Sequence, residues 1–161
     1  MIYLLLDSAS DFVLPDKEGY AFVPILVTLE GKEYRDGLDL DKDTFYALLT
    51  GSGEFPKTSQ PSPQVFAELF ERMKEQGDEL IYFALSSGLS GTYQSAVIAK
   101  GMVEYEGIHL VDSRTASHGI RILFDLSKRM IDEGATAEEI VRCCEELKSR
   151  VRIVAAVDTL E

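Results

Sequence analysis

The chain has 161 residues, of which 45% are hydrophobic and 27% charged, and its formal net charge is −12. This composition is typical of a globular domain, and a chain of this length buries enough surface to hold a core without disulfides. The acidic surface repels DNA, RNA and anionic membranes, and the sequence has no concentrated basic stripe. We therefore expect neither a nucleic-acid partner nor integral membrane contact.

The first predicted element is a strand at residues 2–6, a continuous apolar run closed by Asp7, which is typical of a strand buried on both faces. Its five apolar residues have no basic flank and are too short for a signal peptide or a membrane span. Residues 21–29 are rich in β-branched and aromatic side chains. Pro24 within them indicates an edge position or a strand that begins after it. A turn and a short strand at 33–35 follow.

A helix capped by Asp41 precedes residues 51–63, GSGEFPKTSQPSP, the longest irregular stretch. A floppy linker and a loop of rigid geometry are the two alternatives for this stretch. It ends in Ser62-Pro63, an N-cap followed by proline at the first helical position, and a fixed end favours the rigid loop.

The second half alternates strands with helices. The pattern predicts strands at 79–85, 108–111 and 151–157, and helices at 91–104, at 116–132 and after the capping-box pattern at Thr136. Such alternation forms parallel βαβ units, so we predict an α/β fold in which a parallel sheet lies between two helical layers, a three-layer α/β/α domain. Ligands of these sheets bind beyond the carboxyl ends of the strands.

The two cysteines are sequence neighbours, Cys143 and Cys144, which cannot easily close a disulfide with each other. The sequence has no Cys/His spacing typical of a metal site, so we predict no metal and no cofactor. Free thiols fit a reducing compartment, and together with the short amino-terminal run they predict a cytoplasmic protein.

Residues 86–92, SSGLSGT, form a loop rich in hydroxyls and glycines between a strand and a helix. Glycines let a ligand approach the backbone, and a helix amino terminus favours an anion. The alternative is that Ser90 or Thr92 only caps the helix. The loop lacks the P-loop, dinucleotide and G-x-S-x-G patterns. Thr58 and Ser59 add hydroxyls on a second loop, and two such loops suit a carboxylate held by neutral donors better than a polyphosphate.

The two histidines differ in position. His109 opens a strand, where we expect a structural role. His118 follows Ser113, Arg114 and Ser117 at a strand-to-helix junction, from which it could reach the rim of a site.

Six segments resemble motifs of the DegV family and follow the family's order along the whole chain. They are Leu6-Asp7-Ser8 with Asp11 and Leu14-Pro15, Tyr34-Arg35-Asp36-Gly37, Thr58-Ser59-Gln60-Pro61-Ser62, Leu89-Ser90-Gly91-Thr92-Tyr93-Gln94-Ser95-Ala96, Val111-Asp112-Ser113-Arg114 and Val157-Asp158-Thr159-Leu160-Glu161. The resemblance implies a fatty-acid-binding protein without catalysis of its own. Family members hold a long-chain acyl group in a tunnel, and in some bacteria they present its carboxyl group to the catalytic subunit of a fatty acid kinase.

The resemblance also implies roles for individual residues. It assigns the ligand carboxylate to Thr58, Ser59, Ser90 and Gly91, with Thr92 beside them. It places five further residues at the floor or rim of the site, namely Asp7, Ser8, Asp112, Ser113 and Arg114. Turn formation and strand-end capping are the alternative roles of these five residues. The positions around His118 and Arg121 are more polar than is usual in the family, which implies an altered acyl pocket.

In the family a second domain follows and encloses the ligand. We therefore expect residues 1–161 to be the amino-terminal domain alone, truncated or shortened before that second domain. An open boundary of this kind exposes apolar surface and favours association, such as a homodimer or aggregation.

Two other functions remain open. A phosphoryl-transfer or hydrolytic enzyme would use Ser90 or Thr92, with Asp7 and Asp112 holding Mg²⁺, but the sequence shows no evident base and no P-loop lysine for it. An interaction module that has lost its ligand is the other alternative.

Overall fold

The computed structural model describes residues 1–11, 18–154 and 156. Its strands are β1 (Ile2–Asp7), β2 (Tyr20–Val23), β3 (Leu26–Leu29), β4 (Lys32–Arg35), β5 (Lys57–Ser59), β6 (Glu79–Ala84) and β7 (Ile108–Asp112). Its helices are α1 (Lys42–Gly51), α2 (Pro63–Gln76), α3 (Thr92–Val103), α4 (His118–Asp132) and α5 (Ala137–Lys148). A short 3-10 turn, Ser8–Ser10, follows β1.

The main sheet has the strand order β2-β1-β6-β7, and every neighbouring pair is parallel. Successive side chains of a strand point to opposite faces. Leu5 accordingly packs in one core with residues of α2 and α3, whereas Leu4 and Leu6 pack in a second core with residues of α4 and α5. The predicted three-layer α/β fold with a parallel sheet is confirmed.

Local signals at helix starts are also confirmed. The Asp41 carboxylate accepts a hydrogen bond from the Thr44 amide at the start of α1. Thr136 and Glu139 form a complete capping box at the start of α5. Pro63 occupies the first turn of α2 as predicted, although the Ser62 side chain makes no capping hydrogen bond there.

The sequence predicted that Pro24 marks an edge position or a strand that begins after it, and the structure has both, because two strands in two different sheets occupy residues 20–29. β2 is an edge strand of the parallel sheet, and β3 is the centre of a separate antiparallel sheet, β4-β3-β5. Pro24 lies between them. Proline has no amide hydrogen to continue a ladder, so the chain can leave one sheet here and enter the other.

The second sheet also contains part of the predicted irregular loop. β5 lies inside residues 51–63 and pairs Thr58 with Val27 and Ser59 with Leu26. All three residues of β5 are exposed, so the strand has no hydrophobic pattern that the sequence could reveal. The loop is thus held by backbone pairing, which accords with the rigid alternative.

The strand predicted at residues 151–157 is not present in its described part. Residues 151–154 and 156 carry no strand assignment, and Val154 is 95% exposed. The other two positions, 155 and 157, lie outside the described residues. β-branched side chains favour a strand only where a neighbouring backbone pairs with it, and no described strand pairs with this segment.

Asp7 is a fully buried carboxylate at the carboxyl end of β1. Its Oδ2 atom accepts hydrogen bonds from the Tyr82 hydroxyl at 2.7 Å and the Leu85 amide at 2.9 Å, and its Oδ1 atom accepts one from the Ala9 amide at 3.1 Å. Burial raises the pKa of this carboxyl, and these hydrogen bonds oppose the rise without cancelling it. Burial, followed by the neighbouring Asp7, raises the pKa of Tyr82 well above its ordinary value. The network fastens β1 to β6 and to the turns that follow each strand.

We predict that Asp7→Ala destabilises the fold more than Tyr82→Phe does. The alanine leaves the Tyr82 hydroxyl and the Leu85 amide unpaired, at about 1–3 kcal/mol for each buried donor. The phenylalanine removes a donor and leaves both amide bonds in place. The double variant should therefore lose less free energy of unfolding than the two single variants lose in total. The reason is that Tyr82→Phe removes one of the donors that Asp7→Ala leaves unpaired. Urea unfolding of the four proteins measures this coupling, and strictly additive costs would contradict it.

Candidate ligand-binding site

A cavity of about 650 Å³ lies between the carboxyl end of the parallel sheet and the antiparallel sheet. Its volume is within the range common for small-molecule sites. Three segments line it. They are the turn after β1 (Ser8, Ala9, Asp11), the antiparallel sheet and its flanks (Ile25, Val27, Asp36, Thr58, Ser59, Gln60) and the loop between β6 and α3 (Leu85, Leu89, Ser90, Gly91).

The two hydroxyl clusters singled out in the sequence meet at this cavity. Thr58 and Ser59 arrive on β5, which is placed by its pairing with β3. Ser90 and Gly91 arrive at the amino-terminal end of α3, whose N-cap is Gly91. Each cluster depends on a different sheet, so the fold rather than sequence proximity brings them together.

Ser90 is oriented by its neighbour Thr92. The Ser90 Oγ atom accepts a hydrogen bond from the Thr92 amide at 3.2 Å and lies 2.8 Å from the Thr92 hydroxyl oxygen. A serine hydroxyl has one donor and two acceptor positions. If both Thr92 groups donate to Ser90, the Ser90 hydroxyl hydrogen is free to donate to a ligand. Thr92 itself is fully buried and supports Ser90 from behind.

Gln60 joins the two hydroxyl loops across Gly91. The Gln60 Nε2 atom donates to the buried Ser95 hydroxyl in α3 at 3.0 Å. A Cβ atom built on Gly91 would lie 1.8 Å from Gln60 Oε1 and 2.7 Å from its Cδ atom. Gly91 has an ordinary backbone φ of −76°, so it is the close passage of the Gln60 side chain, and not the backbone angle, that favours glycine here.

Within the turn after β1, Ser8 and Ala9 form the floor of the cavity, and the exposed Asp11 lies at its rim. The Ser8 Oγ atom accepts a hydrogen bond from the Ile25 amide at 3.0 Å, which ties this turn to the antiparallel sheet. Asp7 does not line the cavity. Its hydrogen bonds to the amides of Ala9 and Leu85 hold two residues that do.

Three candidates from the sequence, Ser113, Arg114 and His118, are not among the lining residues. Ser113 is fully buried and donates to the Thr115 carbonyl at 3.2 Å, whereas Arg114 and His118 are exposed. All three lie at the junction of β7 and α4. β7 is an edge strand, separated from β1 by β6, so its following loop lies behind the cavity instead of in its wall.

This junction holds the hydroxyl loop from behind. Asp112 accepts hydrogen bonds from the Ser87 amide at 3.1 Å and the Ser87 hydroxyl at 2.6 Å, and the Thr115 carbonyl accepts one from the Ser86 amide at 3.0 Å. Burial works against ionisation of Asp112, but the bonds from Ser87 and Arg114 and the nearby Lys148 outweigh it and lower its pKa. Asp112 therefore acts as an ionised acceptor that fixes the loop.

The wall of the cavity is part apolar and part acidic. Sequence reasoning did not select its apolar residues as site residues. Ile25, Val27 and Leu85 stand in predicted strands, and Leu89 stands in a recognised segment, but nothing in their pattern marks them as part of a cavity. Gln60 and the acids Asp11 and Asp36 stood within recognised segments but were not chosen as site residues. The lining contains no lysine, arginine or histidine among the residues that the structure describes.

Two further properties of the described residues concern metal binding and the spanning of a membrane. Within the described ranges, no cluster of His, Cys, Asp and Glu side chains is arranged to hold a metal ion. No helix in the same part of the chain is both long enough and apolar enough to cross a bilayer.

Comparison with known proteins gives a match over the whole chain. The family model described as "Uncharacterised protein, DegV family" matches residues 1–161. A DegV domain-containing protein of Caldanaerobacter subterraneus subsp. tengcongensis is 41% identical over 162 residues, which cover 99% of this chain and 58% of the relative. The chain thus spans little more than half the length of this relative.

Solved structures of the family show the same architecture. A fatty-acid-binding DegV protein from Thermus thermophilus has 33% sequence identity and a TM-score of 0.78, over 92% of this chain and 53% of its own. A stearic-acid-binding protein from Eubacterium ventriosum has 31% identity and a TM-score of 0.81, over 90% and 52%. The family model, the identity and the shared architecture agree with the motif order, and we conclude that the chain belongs to the DegV family.

Proposed function

We propose that this chain binds a long-chain fatty acid, with the carboxylate at the hydroxyls of Thr58, Ser59 and Ser90 and at Gly91. The observation that carries the proposal is the meeting of two hydroxyl loops at one cavity whose wall also includes apolar side chains. The fatty acids bound by the Thermus and Eubacterium proteins support it.

The parts of the cavity match the two parts of such a ligand. Burial of the acyl chain supplies affinity, at about 0.8 kcal/mol for each methylene removed from water. The hydroxyls supply orientation, because a carboxylate accepts hydrogen bonds and each hydroxyl has one to donate. Neutral donors suffice for a single charge, whereas a polyphosphate would call for cations that the described lining does not contain.

In this proposal the chain performs no chemistry on its ligand. Ser90 lies against Thr92 and has no histidine beside it in the described lining, so the geometry favours a donor over a nucleophile. The chain would present the bound carboxyl group to a separate fatty acid kinase. This role in presentation rests on the family resemblance.

The direct test is the identity of any lipid carried by the purified chain. We expect mass spectrometry of the extracted lipid to find fatty acids, and the delipidated chain to bind hexadecanoic acid in equilibrium dialysis. A folded chain that carries no lipid and binds no hexadecanoic acid would contradict the proposal and favour the ligand-free interaction module.

We expect Ser90→Ala to weaken hexadecanoic acid binding about tenfold, since it removes a hydrogen bond to a charged acceptor. The matched control is Ser149→Ala, an exposed serine outside the cavity whose hydroxyl donates to the Glu146 carbonyl at 2.9 Å. Equilibrium dialysis compares the two variants with the wild type. Unchanged affinity in Ser90→Ala would count against the assigned carboxylate position.

Gly91→Ala should weaken binding at least severalfold, because the new methyl group displaces the Gln60 side chain from Ser95. Gly101→Ala in the same helix is the control, since a Cβ atom there meets nothing within 4 Å and alanine is the better helix former. If Gly91→Ala and Gly101→Ala bind hexadecanoic acid equally well, the close passage of Gln60 has no role in the site.

A further inference from the structure

Ser117 occupies the N-cap position of α4 with an unusual backbone conformation. Its φ is 50° and its ψ is −129°, a combination that side chains with a Cβ atom rarely adopt. An N-cap serine usually accepts a hydrogen bond from an amide of its own helix, but the Ser117 side chain makes no such bond. Neither its conformation nor its hydroxyl is therefore explained by capping of α4.

Both hydrogen-bond donors of Ser117 bind the turn after β1, which lines the cavity. The Ser117 amide donates to the Ala9 carbonyl at 2.8 Å, and the Ser117 hydroxyl donates to Asp11 Oδ2 at 2.7 Å. Ala9 and Asp11 both line the cavity. The strained conformation thus aims two donors of one residue at the rim of the ligand site.

The hydroxyl has one hydrogen, which Asp11 receives, so its contact with His118 must run the other way. The His118 Nδ1 atom lies 3.1 Å from the Ser117 Oγ atom, and a hydrogen bond between them requires the tautomer that carries its hydrogen on Nδ1. Asp11, Ser117 and His118 form a chain that leads from the cavity rim to the exposed side of α4.

The charge of Asp11 matters because of the ligand proposed for the cavity. Asp11 and Asp36 both line it, and a carboxylate near a bound fatty acid headgroup repels it and competes with it for hydroxyl donors. A carboxylate held by a hydrogen bond at the rim is less available for that competition.

We propose that Ser117 is a positioning residue that holds the Asp11 carboxylate at the rim, so that the hydroxyls of the cavity remain available to an anionic headgroup. This inference rests on the proposed function and deepens it. It predicts that the loss of the Ser117 hydroxyl affects charged ligands and spares neutral ones of the same chain length.

The experiment uses equilibrium dialysis of the chain with hexadecanoic acid and with hexadecanol. Ser117→Ala is expected to weaken hexadecanoic acid binding about tenfold and to change hexadecanol binding less than about twofold. Adding Asp11→Asn to Ser117→Ala should restore hexadecanoic acid binding to about the wild-type level, because the freed side chain is then neutral. A merely structural role of Ser117 would weaken both ligands alike and would not be rescued.

Two further variants keep the test decisive. If Ser117→Ala does not fold well, Ser117→Gly takes its place in the test. Glycine adopts this backbone conformation without strain and also lacks the hydroxyl, so this variant should show the same selective loss of hexadecanoic acid binding. Asp11→Asn alone should bind hexadecanoic acid at least as tightly as the wild type, and weaker binding would overturn the proposal.

The outcomes separate the two proposals. If the wild type binds neither hexadecanoic acid nor hexadecanol, the proposed function fails and the role of Ser117 fails with it. If the wild type binds hexadecanoic acid and Ser117→Ala binds it equally well, or loses both ligands in parallel, only the proposal for Ser117 is overturned.

Discussion

The buried carboxylate of Asp7 is the interaction on which the architecture of the cavity depends. It sits where β1 ends and accepts hydrogen bonds from a tyrosine in β6, from the amide that follows β6 and from the amide of Ala9. Two of these donors belong to residues that line the cavity. A buried acid without partners would be costly, but here each oxygen is satisfied and the hydrogen bonds define the floor geometry.

The cavity exists because the chain changes sheets at Pro24. β2 ends the parallel sheet at one edge, and β3 begins the antiparallel sheet after two residues that belong to neither. This change places β5 beside β3 and therefore brings Thr58 and Ser59 opposite Ser90 and Gly91. The Ser8 hydroxyl holds the Ile25 amide just after the change, so the two sheets are tied at the point where they separate.

The electrostatics of the site follow from a chain whose net charge is −12. Such a protein can hold an anion only where local hydrogen-bond donors outweigh the overall electrostatic repulsion. The described lining offers hydroxyls, an amide side chain and a helix amino terminus as donors of this kind. Three acids at or near the site, Asp112, Asp11 and Asp7, are held by hydrogen bonds from other groups. Ser87 binds Asp112, Ser117 binds Asp11, and Asp7 lies buried beneath the floor. The hydrogen bonds that hold these acids and the neutral donors that line the cavity both favour an anionic ligand.

The sequence by itself determined the parallel sheet between two helical layers. It also determined the helix starts at Asp41, Pro63 and Thr136 and the hydroxyl loop before α3. These features depend on apolar periodicity and on capping by side chains a few positions away, which are local properties. Motif order along the chain likewise indicated the family, and the match over residues 1–161 confirmed it.

Only the tertiary structure decided the strand β5, the second sheet and the contacts of Gln60 and Ser117. β5 is held by backbone hydrogen bonds to β3, and its exposed side chains carry no pattern that marks a strand. Gln60 reaches Ser95 across Gly91, and Ser117 reaches Asp11 across a sequence separation of 106 positions. Contacts of this kind join residues distant in sequence, and because each depends on how separate elements are packed, no local pattern encodes them.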